Sequence, residues 1–243
     1  MPKIPKDPKE ILEAFSADYQ ALFGENLVSI ILYGSAAADG YRPGKSDINF
    51  MVVLTEEGIN DLERALPLVE KWKKRNVAVP LFLTQNYIRT STDVFPVEYL
   101  GFHRRHHLVY GKDLLSDLSF DPQWVRLQCE REIKGKLLLL REAYFQAGGK
   151  ARGLRELIAQ SIRAFTAIFE ALLFLKNIEV PPKGRDTVKL ACEAFGLDAA
   201  LFDKLLDIRE ERLKPSGEEV QKLFKRYLHE VRKLAQAVDS MGG

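Results

Sequence analysis

Two short stretches hold residue types that can grip polyphosphate and a divalent cation. Gly34-Ser35 ends the apolar run Leu27 to Tyr33, and Ser46-Asp47-Ile48-Asn49 leads into the apolar run that ends at Leu54. Residues two apart in a strand project to the same side, so Asp47 and Asn49 point together toward whatever the glycine turn holds. A Gly-Ser turn presents bare backbone amides and a hydroxyl, and a bulkier residue at 34 would hinder close approach of a phosphate. Asp47 and Asn49 offer oxygen donors of the kind magnesium takes, and magnesium bridges such donors to substrate phosphates. The Gly34 amide, Ser35, Lys45 and Ser46 are therefore candidate phosphate contacts. Asp47 and Asn49 are the candidate metal pair. Lys45 reads equally well as a phosphate contact or as a charge that keeps the loop soluble.

These residues need two neighbouring strands to bring them together. Asp7-Pro8 predicts a helix start, with a capping oxygen and then proline where its missing N–H is not needed. Ile11, Leu12, Phe15, Tyr19, Leu22 and Phe23 follow at helical spacing. Leu27 to Tyr33 and Asn49 to Leu54 read as strands, and GSAAADGYRPGKS between them as loop or short helix. Glu56 to Lys74 returns to helical spacing, with Pro67 kinking it or opening a second helix. Val77 to Thr84 reads as a third strand, placed near an edge or bulged by Pro80. The order is that of an α+β unit with a mixed sheet. Beyond Asp121-Pro122 the stripes are helical only: Ile133 to Tyr144, Leu154 to Leu173, Val188 to Phe195, Leu201 to Ile208 and Val220 to Val238. Residues 1–120 are thus expected to form the α+β domain and residues 121–243 an all-α helical bundle.

The Gly34-Ser35 turn, the Arg42-Pro43 pair and Ser46-Asp47 resemble the nucleotidyltransferase superfamily of DNA polymerase β and the small aminoglycoside nucleotidyltransferases. The order of an α+β domain followed by a helical bundle resembles that group too. The resemblance implies transfer of a nucleoside monophosphate from ATP or another triphosphate, with Mg2+, to a hydroxyl of a small molecule or protein. It implies a bundle that binds the acceptor or pairs two copies. It also implies three acids, of which Asp47 matches. Asn49 stands in place of the second, and the third position is aligned with Phe82, whose ring can neither bind magnesium nor deprotonate a hydroxyl. Glu98 is the one acid carried as a substitute base. Asp39 stands where relatives have a basic or small residue. Two readings follow: a transferase in which Asp47, Asn49 and Glu98 act, or a degenerate member that binds nucleotide and serves as a regulatory or partner-binding module.

Bulk composition bounds the rest. The 243 residues carry 36 basic and 34 acidic side chains, a net charge of +2, which gives no overall field toward nucleic acid or an anionic membrane. No unbroken apolar run reaches the roughly 20 residues of a bilayer span, and the start MPKIPKDPKEIL has no signal-peptide core, so a cytoplasmic location is expected. Cys129 and Cys192 fall in helical stripes without metal-binding spacing and read as buried thiols. His103, Arg104, Arg105, His106 and His107 form a dense basic cluster that reads as a solvated face before it reads as a phosphate site. Lys183-Gly184-Arg185 reads as a helix connection before it reads as a substrate contact.

Overall fold

Asp7 caps a short 3-10 helix, Pro8–Ile11, through a reciprocal capping box with Glu10, and the chain continues into α1, Leu12–Phe23. The strands that follow are β1, Leu27–Tyr33, and β2, Asn49–Leu54. A 3-10 segment, Gly58–Ala65, precedes α2, Leu66–Lys73, and Pro67 sits in the first turn of α2, so it opens a helix rather than kinking one. Then come β3, Leu81–Thr84, α3, Gln85–Thr90, α4, Pro96–Arg104, and β4, His106–Gly111. This computed structural model describes residues 4–38 and 40–242. It divides into two compact units, Met1–Ser119 and Phe120–Gly243.

In the first unit the strands form one mixed sheet in the order β3-β2-β1-β4. β1 pairs antiparallel with β2 and β4, while β2 and β3 run parallel. One face, carrying Ile30, Leu32, Phe50, Val52 and Leu54, is buried with Ile11, Phe15 and Tyr19 of the N-terminal helices and Trp72 of α2. The Phe15 and Phe50 rings stack at 3.8 Å, and the Trp72 indole N–H donates to Asp18 at 2.9 Å, so its polar edge is satisfied inside an apolar layer. The other face carries Tyr33, Asn49 and Met51 by strand alternation and register. There the Tyr33 ring meets Phe102 of α4 edge-on at 4.8 Å.

The third strand differs from the run expected over Val77 to Thr84. Val77 makes an isolated parallel bridge to Ile48, and regular pairing starts only at Leu81, opposite Met51. Pro80 between them has no N–H to donate, and the register moves by one residue across it. β3 does lie at an edge of the sheet, the place where a proline is tolerated.

Among its described residues the second unit contains five α-helices: α5, Pro122–Gln146, α6, Ala151–Leu175, α7, Gly184–Ala194, α8, Ala199–Arg209, and α9, Gly217–Asp239. Asp121, Asp198 and Ser216 cap α5, α8 and α9 with side-chain oxygens, which satisfies amides that have no partner inside the helix. α6 is the one described helix long and apolar enough to cross a membrane. It packs against α5, α7, α8 and α9, and Leu154, Ile158, Ile162, Phe165, Phe169 and Leu173 are buried, which is the position of a bundle's core helix. Phe165, Phe169, Phe202 and Tyr227 meet largely edge-on around it. Cys129 and Cys192 are buried free thiols, and burial, with Glu230, Asp198 and Glu193 nearby, pushes Cys192 up to about 12.

Candidate functional site

β1 delivers the chain to Gly34, whose φ of +76° lies in the left-handed region that glycine adopts without a Cβ clash. Its neighbour across the strands is Asn49: Tyr33 pairs with Asn49, and a Cβ placed on Gly34 would lie 3.7 Å from the Asn49 side-chain nitrogen. The glycine turn and the start of β2 are therefore adjacent, as the spacing required. The Gly34 amide, however, donates to the Arg105 carbonyl at 3.0 Å and continues the β1–β4 pairing. It cannot serve at the same time as the expected phosphate donor. Residues Gly34–Ala37 form a single 3-10 turn, and at i→i+3 spacing its first bond starts from Ala36, so with Gly34 taken Ser35 is the better placed backbone donor.

The loop returns close to that turn, since a Cβ on Gly40 would come 3.6 Å from the Ser35 Cβ. Asp39 lies outside the described residues. The Tyr41 hydroxyl donates to the Pro5 carbonyl at 3.0 Å and pins the loop to the N-terminal segment. The amides of Lys45 and Ser46 donate to the Arg42 carbonyl at 3.0 and 2.9 Å, and the Ser46 hydroxyl accepts from the Arg42 amide at 3.2 Å. Ser46 thus closes the Arg42-to-Ser46 turn, where its hydroxyl oxygen accepts a bond and its O–H proton stays available to donate. Lys45 is exposed at the turn's end.

Asp47 is exposed and its backbone is clamped from both sides by one residue the sequence reading missed. The Asn76 side-chain amide donates to the Ser46 carbonyl at 2.8 Å, and the Asn76 carbonyl accepts from the Ile48 amide at 3.0 Å. Asn76 does this at φ +65°, a conformation that asparagine tolerates better than most residues. The available signal was its place just after α2 and just before an apolar run, a common site for a left-handed helix cap.

Phe82 is corrected by the register. It pairs with Val52 and packs into the helix-covered core, 6.1 Å from the Tyr19 ring, so it lies on the face opposite Asn49. The β3 residues on the Asn49 face are Leu81 and Leu83, opposite Met51 and Val53. Neither supplies a carboxylate. Among the described residues no three His, Cys, Asp or Glu side chains gather in a way that could hold a metal ion. Asp47 and Asn49 suit an ion that a nucleotide brings with it; the donor set does not suit a second, resident ion. Glu98 is exposed in the first turn of α4, one turn before Phe102, the residue that meets Tyr33.

The histidine cluster is largely structural. The His103 ring nitrogen Nδ1 lies 2.8 Å from the Leu115 carbonyl, and His106 Nε2 lies 3.2 Å from both oxygens of Asp113. Burial pushes the Asp113 carboxyl up, but the Ser116 hydroxyl, the Leu115 amide, His106 and the Ser116 amide together hold it down at about 2. In the bundle, Arg185 pairs with Asp203, with Asp207 at 2.9 Å and with Glu210 at 3.3 Å, tying α7 to α8. A shallow cavity of about 350 Å³ beside it is lined by Val188, Lys189 and Leu206 as well. Its arginine is already matched by carboxylates, which removes it as an anion contact.

No family model and no curated protein sequence matches the chain. Among solved structures it is similar to a spectinomycin adenyltransferase from Enterococcus faecialis, determined with ATP and spectinomycin. The TM-score is 0.53 at 12% identity, over 92% of this chain and 99% of that one. That identity speaks to fold alone: the chain has an α+β nucleotidyltransferase-like fold with a helical bundle after it.

Proposed function

We propose that the chain binds a magnesium-nucleoside triphosphate at the Gly34–Asp47 end of its two central strands and does not run two-metal nucleotidyl transfer. The observation that carries this reading is the pair Leu81 and Leu83 on the strand beside Asp47 and Asn49. In a two-metal transfer both ions need carboxylates, and the acceptor hydroxyl needs a base worth about 10² to 10⁴ in rate. Asp47 would take the magnesium that the triphosphate carries, with the Asn49 oxygen beside it. The Ser35 hydroxyl and amide, with Lys45, would meet the phosphates. Asn76 would hold Asp47 in place through the backbone.

The transferase reading keeps one specific support, the fold likeness to an adenyltransferase solved with ATP and spectinomycin. In it an acceptor oxygen attacks the α-phosphorus, pyrophosphate leaves, and Glu98 takes the hydroxyl proton. Calorimetric titration with ATP and other triphosphates separates the outcomes. Binding is expected to require magnesium and to weaken at least tenfold in Asp47→Ala; no binding of any triphosphate sinks both readings. Pyrophosphate release by the natural chain at an ordinary enzymatic rate, lost in Glu98→Gln, would replace binding with transfer. Asn49→Asp with Leu81→Glu is expected to gain pyrophosphate release, whereas Asn49→Asp with Phe82→Glu, on the wrong face, is not.

A further inference from the structure

α5 is apolar on two opposite sides. Val125, Cys129, Ile133, Leu137 and Leu140 are buried in the bundle. On the far side Trp124, Leu127, Leu138 and Phe145 stay 39%, 47%, 64% and 80% exposed. An amphipathic helix at a protein surface turns charged and polar residues outward, so this second stripe is not accounted for by the bundle's own core. Trp124, Arg131, Leu138 and Phe145 recur at every seventh position, the repeat that keeps a seam facing a partner helix. The two ends of the seam match in kind. An aromatic residue stands at each end, and near the midpoint is Gly135, exposed, where a Cβ would meet nothing within 4 Å. Glycine is a poor helix residue, and no contact in its own chain calls for it here. A bare backbone at the midpoint is what lets two helices approach closely.

We propose that this face of α5 pairs with the same face of a second copy of this chain, the two helices running antiparallel about Gly135. In that register Trp124 of one copy lies opposite Phe145 of the other, and Arg131 opposite Leu138. Arg131 then comes within one helical turn of the second copy's Glu142, and the two-fold axis repeats that ion pair on the other side. Such a contact is isologous, self-complementary and closed. The apolar stripe offers on the order of 400 Å² per copy, the size of patch that marks an interaction site. Two such stripes bury about 800 Å² in all, the low end of specific contacts, where association is weak and reversible. A dimer that dissociates on dilution follows.

Sedimentation equilibrium of the full chain is expected to give a concentration-dependent mass rising to two chains. Leu138→Glu and Gly135→Arg are each expected to raise the dissociation constant at least tenfold while circular dichroism and thermal midpoint stay those of a folded chain. Orientation is read by cross-linking: Trp124→Cys chains mixed with Phe145→Cys chains should form the mixed disulfide, and Leu139→Cys, off the seam, should not. Cys129 and Cys192 are buried and do not compete. A chain that stays monomeric at high concentration overturns the proposal, as does a dimer indifferent to Leu138→Glu. Preferential linking of Phe145→Cys to itself overturns the antiparallel arrangement.

Discussion

The two units fix their shapes by different means. In the sheet unit the decisive positions are set by backbone geometry: Gly34, Asn76 and Gly111 all sit at positive φ, and the main chain around Asp47 is held by the Asn76 carbonyl and side-chain amide. In the bundle, shape comes from side chains, with Phe165, Phe169, Phe202 and Tyr227 interleaved in the core and Arg185 bonded to three carboxylates at its edge. A backbone-set site leaves its side chains exposed to meet a ligand. A side-chain-set core consumes them. That contrast is why Asp47, which is exposed, is a candidate for binding and Arg185, which is saturated, is not.

Core truncation tests the bundle half most severely. Phe169→Ala is expected to destabilise by about 3 to 5 kcal/mol, since the ring is fully buried and its neighbours cannot collapse into the space. Denaturant unfolding followed by far-UV circular dichroism measures it; a loss below about 1 kcal/mol would mean the core is not what holds the bundle. On the backbone side, Gly111→Ala puts a Cβ 2.1 Å from the Val28 carbonyl oxygen at φ +80°. The β1–β4 pairing must shift, with an expected cost of about 3 kcal/mol. An alanine tolerated there at wild-type thermal midpoint would break the claim that backbone geometry governs this unit.

Asn76 separates the two parts of a backbone clamp. Asn76→Ala loses the bond to the Ser46 carbonyl and strains a positive φ, for about 1 to 2 kcal/mol. Asn76→Gly keeps the φ and loses only the bond. Triphosphate affinity is expected to fall in both, and thermal stability mainly in the alanine variant. Equal stability losses would show that φ has no share. The smallest effect is at Asp113, whose carboxyl is held near 2, below its ordinary 3.8. A depressed carboxylate stabilises the fold above its unfolded value and loses that contribution as pH falls toward the folded value. The stability advantage of the natural chain over Asp113→Asn should therefore shrink between about pH 4 and pH 2. A difference that stays constant across that range assigns Asp113 a purely steric role.

Much of the fold was legible because its signals are local. The Asp7-Pro8 cap, the strands Leu27–Tyr33 and Asn49–Leu54, the restart at Pro67 and the five bundle helices all follow from spacing within a few turns of chain. β4 was missed because HHLVYG has two histidines and no alternation, so its strand character comes from pairing with β1 rather than from its own pattern. Phe82 is aligned with the third acid by resemblance alone, which does not fix a strand's face: the register moves by one at Pro80, so Phe82 pairs with Val52 and turns to the core. The Gly34 amide is taken by Arg105, a partner far along the chain. Sequence spacing located the turn but carried no information about which of its donors were already bonded.

The chain has two tryptophans, and they fall one in each unit: Trp72 in the sheet unit's core and Trp124 on α5. Trp72 is 2% exposed, hydrogen-bonded to Asp18 and edge-on to Phe15 at 5.2 Å, whereas Trp124 is partly in water. Their emission therefore starts from different colours. Opening of the sheet unit moves a blue component to the red, while melting of the bundle changes a component that is already partly red. With Trp124→Phe, the remaining tryptophan emission becomes an optical gauge of the sheet unit alone, to be set against far-UV circular dichroism, which the helices of the bundle dominate.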